Sequence, residues 1–160
     1  MSPLPPRHVP VLAVVVAHNG VPWLPALRAA LAASTVQPAA IVCVDTGSCD
    51  GSTDLLAGIG AVVTAPGAGF GAAVATALAT IGPVAMAGRH RAGPVPGADA
   101  SGQADAAGAR WLWLLHDDCA PAPEALQQLL AAARTRADIG VVGCRVRSWP
   151  TGPELREAGV

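Results

Sequence analysis

The stretch Val11-Leu-Ala-Val-Val-Val-Ala-His-Asn-Gly20 decides the fold. Its first six residues are a continuous apolar run rich in Val, with no polar alternation. Such a run reads as a strand buried on both faces, the habit of parallel sheets covered by helices on each side. The run breaks at His18-Asn19-Gly20, after which Leu24, Leu27 and Leu31 recur at helical spacing. Pro22 and Pro25 are compatible with that helix only around its first turn. A buried strand that leads through a polar loop into a helix is the repeating unit of a parallel crossover.

The unit recurs downstream. Gln37-Pro38 is expected to close the first helix, Ile41–Val44 to form a second strand, and Asp45-Thr-Gly-Ser-Cys-Asp-Gly-Ser52 to be a loop of turn-forming residues. A short helix should start near Thr53, a third strand should span Ala61–Thr64, and Gly67–Gly71 should turn into an Ala-rich helix over 72–81. Trp111–Leu115 reads as a fourth strand, 123–136 as a helix, and Ile139–Cys144 as a fifth strand. Residues 82–110 are Gly, Pro, Ala and scattered charge with few large apolar side chains, which predicts an irregular insertion. The expectation is an α/β chain: one domain over residues 1–160 with a Rossmann-like, mostly parallel sheet flanked by helices.

Composition narrows the function classes. With 160 residues, 52% hydrophobic and 13% charged, the chain can bury one core. A formal net charge of -1 gives no basic field for nucleic acid or an anionic membrane surface. All ten cationic residues are Arg, a bias that reads as the codon usage of a GC-rich genome. Cys43, Cys49, Cys119 and Cys144 form no CxxC pair and lie in or beside apolar runs, which suggests buried reduced thiols and a cytoplasmic setting. Val9–Ala17 imitates a secretory segment but is short and carries Pro10 near its start; no run approaches the length of a membrane span.

In open parallel sheets, ligands bind beyond the carboxyl ends of the strands. Three polar clusters fall there: His18-Asn19 after the first strand, Asp45 to Ser52 after the second, and His116-Asp117-Asp118 after the fourth. Adjacent carboxylates such as Asp117 and Asp118 repel each other unless a cation or a hydrogen-bond network answers them, and carboxylates with phosphate oxygens and water are the usual shell of Mg²⁺ or Mn²⁺. Asp45 can accept a nucleobase N–H, with Gly47 and Ser48 allowing close backbone approach. The same aspartates can instead cap loops.

Taken together, strand-His18-Asn19, then Val44-Asp-Thr-Gly-Ser-Cys-Asp-Gly-Ser52, then Gly69-Phe-Gly71 opening a helix, then Leu114-Leu-His-Asp-Asp118, resemble family 2 glycosyltransferases of GT-A fold. The resemblance covers nearly all of the chain outside the insertion and is most specific over the Asp45 segment. It implies that His18, Asn19, Asp45, Gly47, Ser48, Asp50 and Asp117 hold a UDP- or dTDP-sugar. Asp118, with Asp117, would hold Mg²⁺ or Mn²⁺, and the sugar would pass with inversion to the hydroxyl of a carbohydrate or lipid-linked acceptor. His18 stands where the family often has Tyr, and His116 where many members have a third Asp; His116 is left outside the metal set. The family's general base lies further downstream. The chain is therefore expected to be an amino-terminal, donor-binding part, truncated on its carboxyl side and inactive alone. It would work at the cytoplasmic face of a membrane only through sequence outside these residues.

Two other readings compete. Gly67-Ala-Gly-Phe-Gly-Ala72 matches the G-x-G-x-x-A fingerprint of NAD(P)-dependent oxidoreductases, although it follows the third strand and no ribose-binding acid follows from Met86 to Gly97. On the transferase reading these glycines let a helix start close to the sheet. The remaining reading is a nucleotide-binding module without catalysis.

Overall fold

A computed structural model describes residues 7–81, 111–148 and 155–158. The order is β1 (Arg7–Ala17), α1 (Leu24–Ala32), β2 (Val36–Asp45), α2 (Ser52–Ala57), β3 (Ala61–Thr64), α3 (Phe70–Ile81), β4 (Trp111–His116), α4 (Ala125–Ala133), β5 (Arg145–Arg147) and β6 (Leu155–Ala158). The first four strands form one sheet in the order β3-β2-β1-β4, all parallel. The α/β class and the parallel sheet flanked by helices are as the sequence leads one to expect.

β1 is central, and the apolar run explains why. Val11, Ala13, Val15 and Ala17 point to one face, where they meet Leu24, Leu27 and Leu31 of α1, Leu56 of α2, and Leu126 and Leu130 of α4. Leu12, Val14 and Val16 point to the other, against Ala73 and Ala77 of α3. A strand with no solvent-facing side has no place for alternating polar residues. The sheet order reverses direction at β1: the chain steps outward to β2 and β3, then crosses back to β4 on β1's other side. The gap between β1 and β4 is the switch point at which such sheets open a crevice.

The boundaries differ from the sequence expectation in informative ways. α1 ends at Ala32, and Gln37 and Pro38 belong to β2. Gln37 still closes the helix, but through its side chain, whose Nε2 donates to the carbonyls of Leu31 and Ser34 at 2.9 and 3.2 Å. Pro38 pairs with Val9 where the β1–β2 register shifts, the kind of irregularity that tolerates a proline in a strand. The fifth strand expected over Ile139–Cys144 does not form: those residues carry no strand, and Val141 is 82% exposed. Gly140 and Gly143 flank the two valines and weaken any extended pairing. Strand structure begins one residue later, in β5, which pairs antiparallel with β6 as a separate two-stranded sheet. The insertion expected over 82–110 lies outside the described residues.

Among the described residues, no helix is long and apolar enough to cross a membrane. All four cysteines are free, but only Cys43 is fully buried; Cys49 and Cys144 are exposed, contrary to the reading of all four as core thiols. Burial pushes the Cys43 thiol up to about 12 and the Cys119 thiol up to about 11.

Candidate functional site

Register brings the three polar clusters together. Ala17 pairs with Asp45 across β1 and β2, and Val16 with His116 across β1 and β4, so the loops after all three strands leave the sheet side by side. They then interlock. The four successive backbone N–H groups of the β1–α1 loop each donate to a side chain of another element. His18 donates to Asp117 Oδ2 at 2.9 Å, Asn19 to Ser48 Oγ at 2.9 Å, Gly20 to Ser52 Oγ at 2.8 Å, and Val21 to Asp50 Oδ2 at 3.1 Å. Asn19, at φ 53° in the left-handed region, returns the favour by accepting the Cys49 N–H on Oδ1 at 2.9 Å. Gly20 is required by packing, because a Cβ there would lie 2.6 Å from Asp117 Oδ2.

The Asp45 segment is organised by the same logic. Asp45 is 4% exposed, and its Oδ1 accepts the N–H groups of Gly47 and Ser48 at 3.1 and 2.8 Å, while Oδ2 accepts the Thr53 hydroxyl. Burial raises its pKa, but the hydrogen bonds from Thr53, Ser48 and Gly47 outweigh that and hold the carboxyl below its ordinary value. Asp50 accepts the N–H and hydroxyl of Ser52 on Oδ1, and the Ser52 hydroxyl leads the contacts that lower its pKa. Gly47 and Gly51 take φ of 104° and 89°, conformations that suit glycine. Gly47, Ser48 and Asp50, read from sequence as donor contacts, are thus committed to the loop itself.

Beside these loops opens a crevice of about 320 Å³, lined by Val16, Ala17 and His18 of β1 and its loop, Thr46 after β2, Gly67, Ala68 and Phe70 between β3 and α3, and His116 of β4. Its volume falls in the range of small-molecule sites. His18 lies on it, with Nδ1 3.2 Å from the Thr46 hydroxyl. Asn19, Asp45 and Asp50 are not among the lining residues. The amino end of α3 meets the crevice at Phe70. Its first-turn N–H groups have no helical acceptor, and no acidic side chain occupies that turn. A Cβ on Gly69 or Gly71 would meet no protein atom within 4 Å. Close helix–sheet packing is therefore not the reason for these glycines. They leave backbone bare.

The third cluster stands at the rim. Asp117 is 2% exposed and faces inward, while His116 and Asp118 face outward on one side, with side chains 54% and 59% exposed. His116 Nδ1 lies 2.7 Å from Asp117 Oδ1 and 3.1 Å from Asp118 Oδ1, and the three offered ligand atoms lie within 4.8 Å of one another. The repulsion between the carboxylates is thus answered in part by an imidazole and by the His18 N–H. The His116 ring also stacks on Phe70, with centroids 5.9 Å apart and planes at 14°. Sequence reading left His116 outside the metal set and named neither Thr46 nor Phe70 as a site residue. Phe70, the chain's single Phe, set between two glycines at a helix start, was the signal available for one of them.

The G-x-G-x-x-A match at 67–72 follows β3, an edge strand, whereas that fingerprint belongs to the turn after a central first strand. Comparison of the chain with family models, with curated proteins and with solved structures found no match.

Proposed function

We propose that the chain is the donor-binding domain of an inverting family 2 glycosyltransferase with GT-A architecture, taking a UDP- or dTDP-sugar and serving a carbohydrate or lipid-linked acceptor. One observation carries the reading. A crevice of about 320 Å³ opens at the carboxyl edge of the parallel sheet, at the switch point between β1 and β4, with a cluster of two carboxylates and an imidazole on its rim. That combination suits a ligand with a flat, polar end and a charged diphosphate.

Each element of the crevice has a role on this reading. His18 offers a ring nitrogen to a nucleobase edge, held in place through Nδ1 by the Thr46 hydroxyl, which itself donates to the Ala17 carbonyl. The bare amino end of α3 favours the negative charge of the phosphates. The expected base contact of Asp45 becomes indirect: the carboxylate shapes the loop that carries Thr46. Asp117 likewise works from beneath, with Oδ2 committed to the His18 N–H, so that β4 and the β1 loop keep their spacing.

The cluster fits a divalent cation, because two carboxylates and an imidazole come together at the rim of the crevice, and no hydrogen bond to Asp118 Oδ2 is found among the described residues. Asp118, with Oδ1 of Asp117, would hold Mg²⁺ or Mn²⁺, which when bound supplies charge stabilisation to the diphosphate. In the transfer itself the acceptor oxygen bonds to the anomeric carbon as the bond to the diphosphate oxygen breaks, and the acceptor proton leaves to a base. No described residue on the crevice is assigned that role.

Calorimetric titration of UDP into the purified chain, with and without Mn²⁺, tests the proposal, with Asp118→Ala and NAD as controls. The expected result is UDP binding that needs Mn²⁺ and is lost in the variant. Binding of NAD instead, or of neither ligand by folded protein, sinks the reading.

A further inference from the structure

We infer that His116 is a third protein ligand of the cation, and that it turns the site toward Mn²⁺ and later transition ions and away from Mg²⁺. The inference deepens the donor-site reading and rests on it for the ion's purpose; the ligand set itself rests on geometry.

Two ligand atoms each about 2.1 Å from an ion and at right angles to one another lie about 3.0 Å apart. His116 Nδ1 stands 2.7 Å from Asp117 Oδ1 and 3.1 Å from Asp118 Oδ1, so both pairs match neighbouring corners of one coordination shell. The nitrogen is the middle member of the set. An ion bound by the two carboxylates through these oxygens meets the imidazole unless the ring swings away. The ring's stack on Phe70 opposes that swing, because Phe70 begins α3 and is fixed to the helix backbone.

The local backbone produces this arrangement. His116 is the last residue of β4, and Asp117 and Asp118 sit in the turn that follows, which the Cys119 N–H closes onto the His116 carbonyl at 3.3 Å. The turn leaves His116 and Asp118 exposed and Asp117 buried. Asp117 nevertheless presents Oδ1 upward because Oδ2 is held by the His18 N–H at 2.9 Å. With one imidazole among carboxylates the donor set leaves the all-oxygen shell that Mg²⁺ prefers, while Mn²⁺ accepts both ligand types.

Pulsed EPR on the full chain, prepared with ¹⁵N-labelled histidine and loaded with Mn²⁺ alone and then with Mn²⁺ and UDP, reads the ligation directly. The expected spectrum shows the hyperfine coupling of a metal-bound histidine nitrogen, and the coupling disappears in His116→Ala. By calorimetry, His116→Ala should weaken Mn²⁺ at least ~10-fold while changing Mg²⁺ less, and His116→Asp should shift the preference toward Mg²⁺. Mn²⁺ binding without histidine coupling, or coupling that survives in His116→Ala, overturns the inference and leaves the donor reading intact. UDP binding with no metal bound overturns it as well, again sparing the donor reading. If folded protein binds neither UDP nor Mn²⁺, both fall. Circular dichroism on each variant separates loss of binding from loss of fold.

Discussion

The loops after β2 and β4 both present aspartates at the same edge of the sheet, yet those aspartates have opposite standing. In the Asp45–Ser52 loop almost every polar atom is committed: Asp45 holds Gly47, Ser48 and Thr53, and Asp50 holds Ser52 and Val21. In His116–Asp118 the inner carboxylate divides its oxygens between the His18 N–H and His116 Nδ1, and the outer one meets that same imidazole nitrogen while remaining 59% exposed. The difference teaches that an acid's chemistry is set by what its oxygens already accept. The first loop builds the site; the second has ligand atoms to spare.

Substitutions should divide along that line. The largest loss of stability is expected for Asp45→Ala, which leaves two backbone donors and the Thr53 hydroxyl without their charged acceptor and should cost about 3 kcal/mol in urea denaturation. Gly20→Ala comes next, at about 2 kcal/mol, because the added methyl overlaps the Asp117 carboxylate that the β1 loop depends on. Acid should loosen the first loop. Asp45 and Asp50 both titrate below the ordinary 3.8 when folded, so their contribution is present above that value and is lost as pH falls through the lower folded one. The urea midpoint should therefore drop below about pH 4, and Asp45→Asn should flatten that drop. The smallest change belongs to Asp118→Ala, within about 0.5 kcal/mol of the parent, although it removes the metal-dependent binding of UDP. A large destabilisation in Asp118→Ala, or none in Asp45→Ala, would break the contrast. Gly69→Ala sharpens it from the crevice side: the added methyl meets no protein atom, so stability should hold while UDP binding weakens.

Much of this architecture was legible because periodicity reports burial. The run at Val11–Val16 announced a strand covered on both faces, Leu24, Leu27 and Leu31 announced α1, and Ala61–Thr64 is β3 to the residue. The run at Ile139–Cys144 carried the same signal and yields no strand, since apolar character marks a need for cover and does not by itself provide a neighbouring edge. At the site, the sequence identified which residues reach the carboxyl edge but not which already have partners. The hydrogen bonds that take up Ser48, Asp50 and Ser52 come from N–H groups some thirty positions away, and the Asp117 contact comes from ninety-nine positions away. A string of residue types does not carry those pairings. His116 was left outside the metal set for a related reason, as the case for it rests on distances to its two neighbours.

The pairing of Val11 with Trp111 spans a hundred positions of chain, whereas β1 meets β2 after about thirty. Closing the longer loop carries the greater entropic cost, and contacts distant in sequence form late. The half of the sheet holding β1, α1, β2 and β3 can therefore organise while β4 is still adrift, with the Asp45 loop already gripping the chain at Asn19 to Val21. His116, Asp117 and Asp118 arrive with β4. The rim of the crevice is thus assembled after the rest of the four-stranded sheet and lost when β4 detaches, so an observer of refolding should see most of the secondary structure return before the proposed cation site.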